Sequence, residues 1–186
     1  MGKPQNRRSM TPREPKEFEE EVLQIDRVTR VVAGGRRLRF RATVVIGNRK
    51  GKVGVGLGKA GEVAIAIQKA IAKAKKSLIT VSIVKNSIPH PVEQKFKAAI
   101  IMMKPASEGT GIIAGGAIRK ILDLAGVKNV LSKRFGTTNK IANARATIMA
   151  LKKLQQPRAT TTVATAKEAP KAAKAGTTAP KTESKE

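Results

Sequence analysis

The sequence predicts an α+β protein made of two small domains, and three observations carry that expectation. From Arg36 to Ile46 the residues alternate with period two, which is strand geometry. From Gly61 to Leu78, and again from Lys140 to Leu154, apolar residues recur at helical spacing. Between these segments "KNSIPHPV" (Lys85 to Val92) breaks the pattern with two prolines and divides the chain.

The expected organisation is a flexible basic arm at 1–17, a first domain at 18–84, a linker at 85–93 and a second domain at 94–155. A tail follows at 156–186. Its Ala, Lys, Thr and Pro cannot bury enough apolar area to offset chain entropy, so it reads as disordered when free.

In order, the acidic patch Glu17 to Glu21 precedes a strand at Val22 to Val32. Gly34-Gly35 then marks a turn, with positive φ open to both positions. In the next strand Leu38, Phe40, Ala42, Val44 and Ile46 are expected on a buried face. Arg37, Arg39 and Arg41 fall on the other. Gly47 to Gly51 is a basic turn, and Lys52 to Gly56 a third strand. The first helix carries an apolar stripe of Val63, Ile67, Ile71, Ala74 and Leu78. In the second half, a strand at Ala98 to Met103 leads into the Gly-rich "PASEGTGIIAGG". A helix at Gly116 to Ala125 ends at Gly126, a suitable C′ residue. A strand at Asn129 to Ser132 comes next, then a last helix with Asn139 as its N-cap and Ile141, Ala144, Ile148 and Leu151 on one side.

Charge points to the partner. With 38 Lys+Arg against 13 Asp+Glu, the net charge is +25, which a polyanion would neutralise. No apolar run approaches the ~20 residues that span a bilayer, and the N-terminus lacks the apolar middle of a secretory signal. Nucleic acid is therefore preferred to a membrane. There is no Cys and a single His, His90, so thiolate and His-cluster metal sites are not expected. His90, between Pro89 and Pro91, reads as a turn residue. With no Trp or Tyr and four Phe, the chain has few platforms for stacking bases, so phosphate, ribose and shape are what it should read.

Ten basic residues and no acidic one lie between Arg27 and Lys59: Arg27, Arg30, Arg36, Arg37, Arg39, Arg41, Arg49, Lys50, Lys52 and Lys59. They are the expected RNA contacts, since each Arg can make a charge-assisted, bidentate bond to phosphate. Gly56-Leu57-Gly58-Lys59-Ala60-Gly61 matches a dinucleotide fingerprint, but no acidic residue follows from Val63 to Val92 to hold a ribose. Its glycines instead suggest a close approach of backbone and helix N-terminus to an RNA phosphate. Ser107 to Gly111 with Gly115-Gly116 resembles a phosphate cradle without the G-K-[ST] of a P-loop, and reads as a loop that touches a partner.

The stretches "RVTRVVAGGRRLRFRATVVIGNRKGKVGVGLGKAGEVAIAIQKAIAKAKK", "IPHPV" and "KPASEGTGIIAGGAIRKILDLAGVKNVLSKRFGTTNKIANARATIMALKKL" closely resemble the bacterial small-subunit ribosomal protein S-five family, over about Phe18 to Leu154. The resemblance implies an N-terminal domain like double-stranded RNA-binding domains and a C-terminal α/β domain with a left-handed βαβ crossover. It also implies a cytoplasmic, ribosome-bound protein near the channel through which mRNA enters. Such a protein binds small-subunit ribosomal RNA, neighbours small-subunit proteins four and eight, contacts mRNA, and affects decoding accuracy through protein four. Thr29, Arg30, Val31, Ala33, Gly34 and Gly35 match the family loop near the spectinomycin pocket. Ala33 stands where relatives often carry Lys, leaving Arg30 and Arg36 as that loop's cations. Gly109, Gly111 and Arg119 match the region facing protein four. No catalysis, cofactor, metal or small-molecule substrate is expected. The competing readings are a DNA-compacting protein, from the Ala/Lys/Pro tail, and a nucleotide-dependent enzyme, from the Gly-rich loops.

Overall fold

In the computed structural model, residues 17–154 are described; the expected arm, apart from Glu17, and the expected tail lie outside them. The first half forms an antiparallel sheet in the order β1 (Glu19–Val32), β2 (Gly35–Gly47), β3 (Lys52–Ala60) and β4 (Ile79–Thr80), with α1 (Val63–Lys76) on one face. The second half has β5 (Val92–Phe96), β6 (Ala99–Pro105), β7 (Ile112–Ile113), α2 (Gly116–Ala125), β8 (Val130–Phe135) and α3 (Lys140–Lys153). Its sheet order is β5-β6-β8-β7, antiparallel except where β7 and β8 run parallel across the α2 crossover.

The alternation in β2 has a different outcome at each end. Ala42, Val44 and Ile46 pack against Ala66, Ala70 and Ala74 of α1, as a buried face should. On the reverse face Thr43 and Val45 are buried too, because α2 and α3 cover that side. The sheet is thus filling inside a layered stack, whereas the period-two reading supposed one wet face. At the far end α1 no longer reaches. Leu38 is 44 % exposed and Val31 75 %, so the outer part of β1–β2 is a two-stranded arm open on both faces. A bulge between Val22 and Gln24 lets Leu23 join the core shared with the second half.

The fingerprint glycines are not in a loop. Gly56 and Gly58 belong to β3 and, with Gly54, face α1 at alternate positions. A Cβ on Gly56 would lie 2.0 Å from the Ala70 carbonyl oxygen, and one on Gly58 2.1 Å from that of Ala66. They serve close helix–sheet packing, which corrects the expectation of an anion approach. Lys59 accordingly sits on a strand, and α1 starts later, at Val63. The centre of its buried stripe is Ala66, Ala70 and Ala74, with Ile67 and Ile71 at the flanks. Glu19 to Glu21 lie inside β1, not before it, and the turn falls at Ala33-Gly34, one residue before the expected Gly34-Gly35, so that Gly35, with a positive φ, opens β2.

Strands β4, β5 and β7 were not expected. Within 85–93, Ser87 and Ile88 are buried, and the Ser87 hydroxyl donates to the Asn129 carbonyl at 2.6 Å. The two halves meet through main chain. The β2–β3 turn donates from Arg49 N–H to the Leu124 carbonyl and from Gly51 N–H to the Ala125 carbonyl, both at 2.9 Å. These bonds satisfy carbonyls that the end of α2 cannot pair internally. Gly47 and Gly126 make the approach possible. A Cβ on Gly126 would stand 2.1 Å from the Arg49 carbonyl oxygen, and its φ of 90° is the left-handed cap expected of it.

Candidate nucleic-acid interface

The β1–β2 register decides which cations share a face. Arg30 stands opposite Arg37, Val28 opposite Arg39, and Asp26 opposite Arg41, while Arg41 in turn pairs with Lys59 of β3. Partners across a ladder point the same way, so Arg30, Arg37, Arg39, Arg41 and Lys59 lie on one face of the sheet. The face is continuous with the one that α2 and α3 cover lower down, but here it is uncovered. Arg30 directly opposite Arg37 is a like-charge pair, unfavourable unless an anion sits between them.

Arg41 differs from its neighbours. Its Nε and Nη2 donate to Asp26 Oδ2 at 3.0 and 2.8 Å, and the Gln24 amide donates to Asp26 Oδ1. Burial pushes the Asp26 carboxyl up. The Arg41 and Gln24 hydrogen bonds and the Arg41 and Lys140 charges outweigh it and hold the carboxyl below its ordinary value. Arg41 is therefore committed to the hairpin.

The other expected contacts do not join this patch. Arg27 opposes Phe40 and Arg36 opposes Val31, which puts both arginines on the reverse face. Arg49, Lys50 and Lys52 are at the opposite end of β2, whose 13 residues span about 40 Å at strand rise. Arg49 is also occupied there, pairing with Glu19 at 2.8 Å and lying 3.8 Å from Asp123. Ten cations from one stretch of sequence thus become a patch, a pair behind it and a distant turn. Thr29, Arg30, Val31, Ala33, Gly34 and Gly35 form the exposed tip.

Gly111 and Arg119 line one shallow groove of about 780 Å³ beside α2, with Thr110 and Asp123; Gly109 is in the adjoining turn and not in the groove wall. Gly109 (φ 88°) and Gly111 (φ 73°) both need the left-handed region. Asn129 fixes this loop, its Oδ1 accepting from Gly111 N–H at 3.1 Å. His90 is half-buried in a bend before β5. Among the described residues no three His, Cys, Asp or Glu gather as metal ligands, and no helix is long and apolar enough to cross a membrane.

Sequence reasoning missed cations that only tertiary structure brings to this face. Lys140, at the start of α3, acts electrostatically on Asp26. Arg134, at the end of β8, shares a crevice with Lys140 and with Leu23 of β1. No local pattern connects residues this far apart.

Two family descriptions match: "Ribosomal protein S5, N-terminal domain" over residues 18–82 and "Ribosomal protein S5, C-terminal domain" over 94–167. The small ribosomal subunit protein uS5 of Trichormus variabilis is 52 % identical over 146 residues, covering 78 % of this chain and 84 % of that one. The same protein of Thermotoga neapolitana is 49 % identical over 142 residues, 76 % and 80 % of the two chains. Small ribosomal subunit protein uS5c of Spinacia oleracea is 52 % identical over 140 residues, 75 % of this chain and 46 % of its own length.

Proposed function

The chain belongs to the ribosomal protein S5 family, and we propose that it grips small-subunit ribosomal RNA with the uncovered arginine face of its β1–β2 arm. The family is one of structural ribosomal proteins, and this chain is a component of the small ribosomal subunit in the cytoplasm, not an enzyme. One observation carries the RNA reading. Arg30, Arg37, Arg39 and Lys59 share a face on which Asp26, the carboxylate set among them in the β1–β2 ladder, is already taken by Arg41. Phosphates would relieve the repulsion between Arg30 and Arg37 and release counterions as they bind. The tip from Thr29 to Gly35 and the reverse-face Arg27 and Arg36 extend the same contact, with Arg49, Lys50 and Lys52 as a second, distant one.

The finer reading follows from family membership. The protein stabilises the body and neck of the subunit near the channel through which mRNA enters, and it contacts mRNA there. It contributes to accuracy through small-subunit protein four, docked at Gly109, Gly111 and Arg119, and it also neighbours protein eight. The exposed Ile113, Leu131 and Phe135 on the outer sheet face supply apolar area for a protein neighbour.

The test is salt-dependent binding to small-subunit ribosomal RNA and to DNA of matched length. RNA should bind more tightly, and the Arg37→Ala, Arg39→Ala double variant should flatten the log–log slope by about two units. Wild-type affinity and slope in that variant would remove this face from the interface. For protein four, Arg119→Glu should abolish capture while RNA binding persists; undiminished capture rejects the groove.

A further inference from the structure

A crevice of about 380 Å³ lies where β1, the start of α2 and the start of α3 converge. That is enough for one nucleotide-sized group. The crevice is lined by Arg134, Lys140 and the first turn of α2, where Gly115 offers no side-chain cap and no acidic residue follows. The amides at the start of a helix have no intrahelical acceptor and carry the positive end of its dipole. No Cβ crowds that turn at Gly116. Lys120 also lines the crevice, but its ammonium is engaged by Glu21 at 2.7 Å and the Val22 carbonyl at 3.1 Å.

Asn143, 1 % exposed and one turn along α3 from Lys140, lines the crevice as well. Its Nδ2 donates to the Thr137 carbonyl at 3.1 Å, which fixes Oδ1 as the remaining acceptor. That oxygen is buried and has no hydrogen-bond partner among the described residues. A buried acceptor left unpaired costs free energy. An anion without a proton cannot satisfy it, because it has no hydrogen to give. The site calls for a ligand that carries both negative charge and a hydroxyl donor. A ribonucleotide has both: a phosphate and the 2′-hydroxyl next to it.

We propose that this crevice holds one ribose–phosphate unit of an RNA strand. The phosphate lies among the α2 amides, Arg134 and Lys140, and the 2′-hydroxyl donates to Asn143 Oδ1. The inference rests on the RNA-binding reading above and deepens it, since it gives the chain a means of telling RNA from DNA. The crevice also extends the arm's arginine face, through Leu23 and through Lys140 beside Asp26.

The experiment is a titration of the full chain, following the Gly115 and Gly116 amide resonances. Adenosine 3′-monophosphate, its 2′-deoxy counterpart and a ten-nucleotide single-stranded RNA are the probes. The ribonucleotide should shift both amides and bind about fivefold tighter than the deoxynucleotide, the worth of one hydrogen bond. The RNA should shift the same amides at lower concentration. Arg134→Gln with Lys140→Gln, two exposed positions, should weaken all three probes, and Asn143→Ala should erase the ribo preference alone. If Asn143→Ala does not fold, the deoxy probe on the wild-type chain still decides. Equal binding of ribo and deoxy forms overturns the proposal, as does a shift by the mononucleotide and none by the strand. If amides at α2 stay still while ribosomal RNA binds with a steep salt slope, only the crevice assignment falls. If ribosomal RNA binds no better than DNA, the RNA reading itself falls.

Discussion

Gly56→Ala asks most directly what the glycines of β3 are for. The added Cβ would sit 2.0 Å from the Ala70 oxygen, 2.6 Å from the Ala74 nitrogen and 2.9 Å from the Ala74 Cβ. The first two obstacles are helix backbone, so no rotamer change relieves them. Restoring ordinary contact means moving α1 off the sheet by over about 1 Å, which also loosens Ala66, Ala70 and Ala74 against Ala42, Val44 and Ile46. Overpacking typically costs about 1–3 kcal/mol. With rigid backbone as the obstacle, about 3 kcal/mol is expected, or roughly 6–12 °C in Tm for a chain of this size. Thermal unfolding followed by circular dichroism measures it, with Gly34→Ala as the control. Gly34 has nothing within 4 Å of a new Cβ and no positive φ, so its change should stay within about 0.5 kcal/mol. A Gly56→Ala protein that melts within about 2 °C of wild type but loses RNA affinity would refute the packing argument and restore the anion-approach reading.

Two further outcomes follow from contacts already described. Because the Asp26 carboxyl is held below its ordinary value, its contribution is full above the unfolded pKa of about 3.9 and fades as pH falls through the folded one. Asp26→Asn should therefore cost about 1 kcal/mol at pH 7, and the gap to wild type should close below about pH 4; a gap unchanged at pH 3 in urea titrations rejects the linkage. Gly126→Ala strains a φ of 90° and thrusts a Cβ at the Arg49 oxygen, so the bonds from Arg49 and Gly51 to α2 should open. Hydrogen exchange at the Gly51 amide should accelerate at least tenfold, and an unchanged rate would mean that the turn does not need this glycine.

The parts of the fold that were legible are those with local chemistry at their ends. Helix α2 runs from Gly116 to Ala125 as expected, because Gly126 stops it in the left-handed conformation. Helix α3 begins after Asn139, whose Oδ1 accepts from Ile141 N–H at 3.0 Å. Strands β4 and β7, two residues each, are too short for any period to register. The β3 glycines carried a legible signal that was misassigned. Glycines at 54, 56 and 58 have strand period, and alanines at 66, 70 and 74 have helix period, the pattern of two surfaces in close approach. At the interface, a turn at Gly34-Gly35 would have set Asp26 opposite Thr43; the turn falls one residue earlier, at Ala33-Gly34, and it is this register that sets Asp26 opposite Arg41 and removes Arg41 from the free cations. Arg134 and Lys140 had no such signal, since their proximity to β1 depends on how the second half folds back.

The capping of α2 by the β2–β3 turn also bears on the order of events during synthesis. The sheet face carrying Leu23, Val45 and Val53 is complete once β3 has left the exit tunnel, but the helix that seals it ends only at Ala125. At ~5–20 residues per second, the intervening stretch of about 65 residues takes about 3–13 s to make. For that interval the newborn first half exposes an apolar sheet face and an arginine-rich arm together. A nascent chain in this state is open both to chaperones that hold apolar surface and to the RNA it will join, and the arrival of α2 ends the first of those two vulnerabilities.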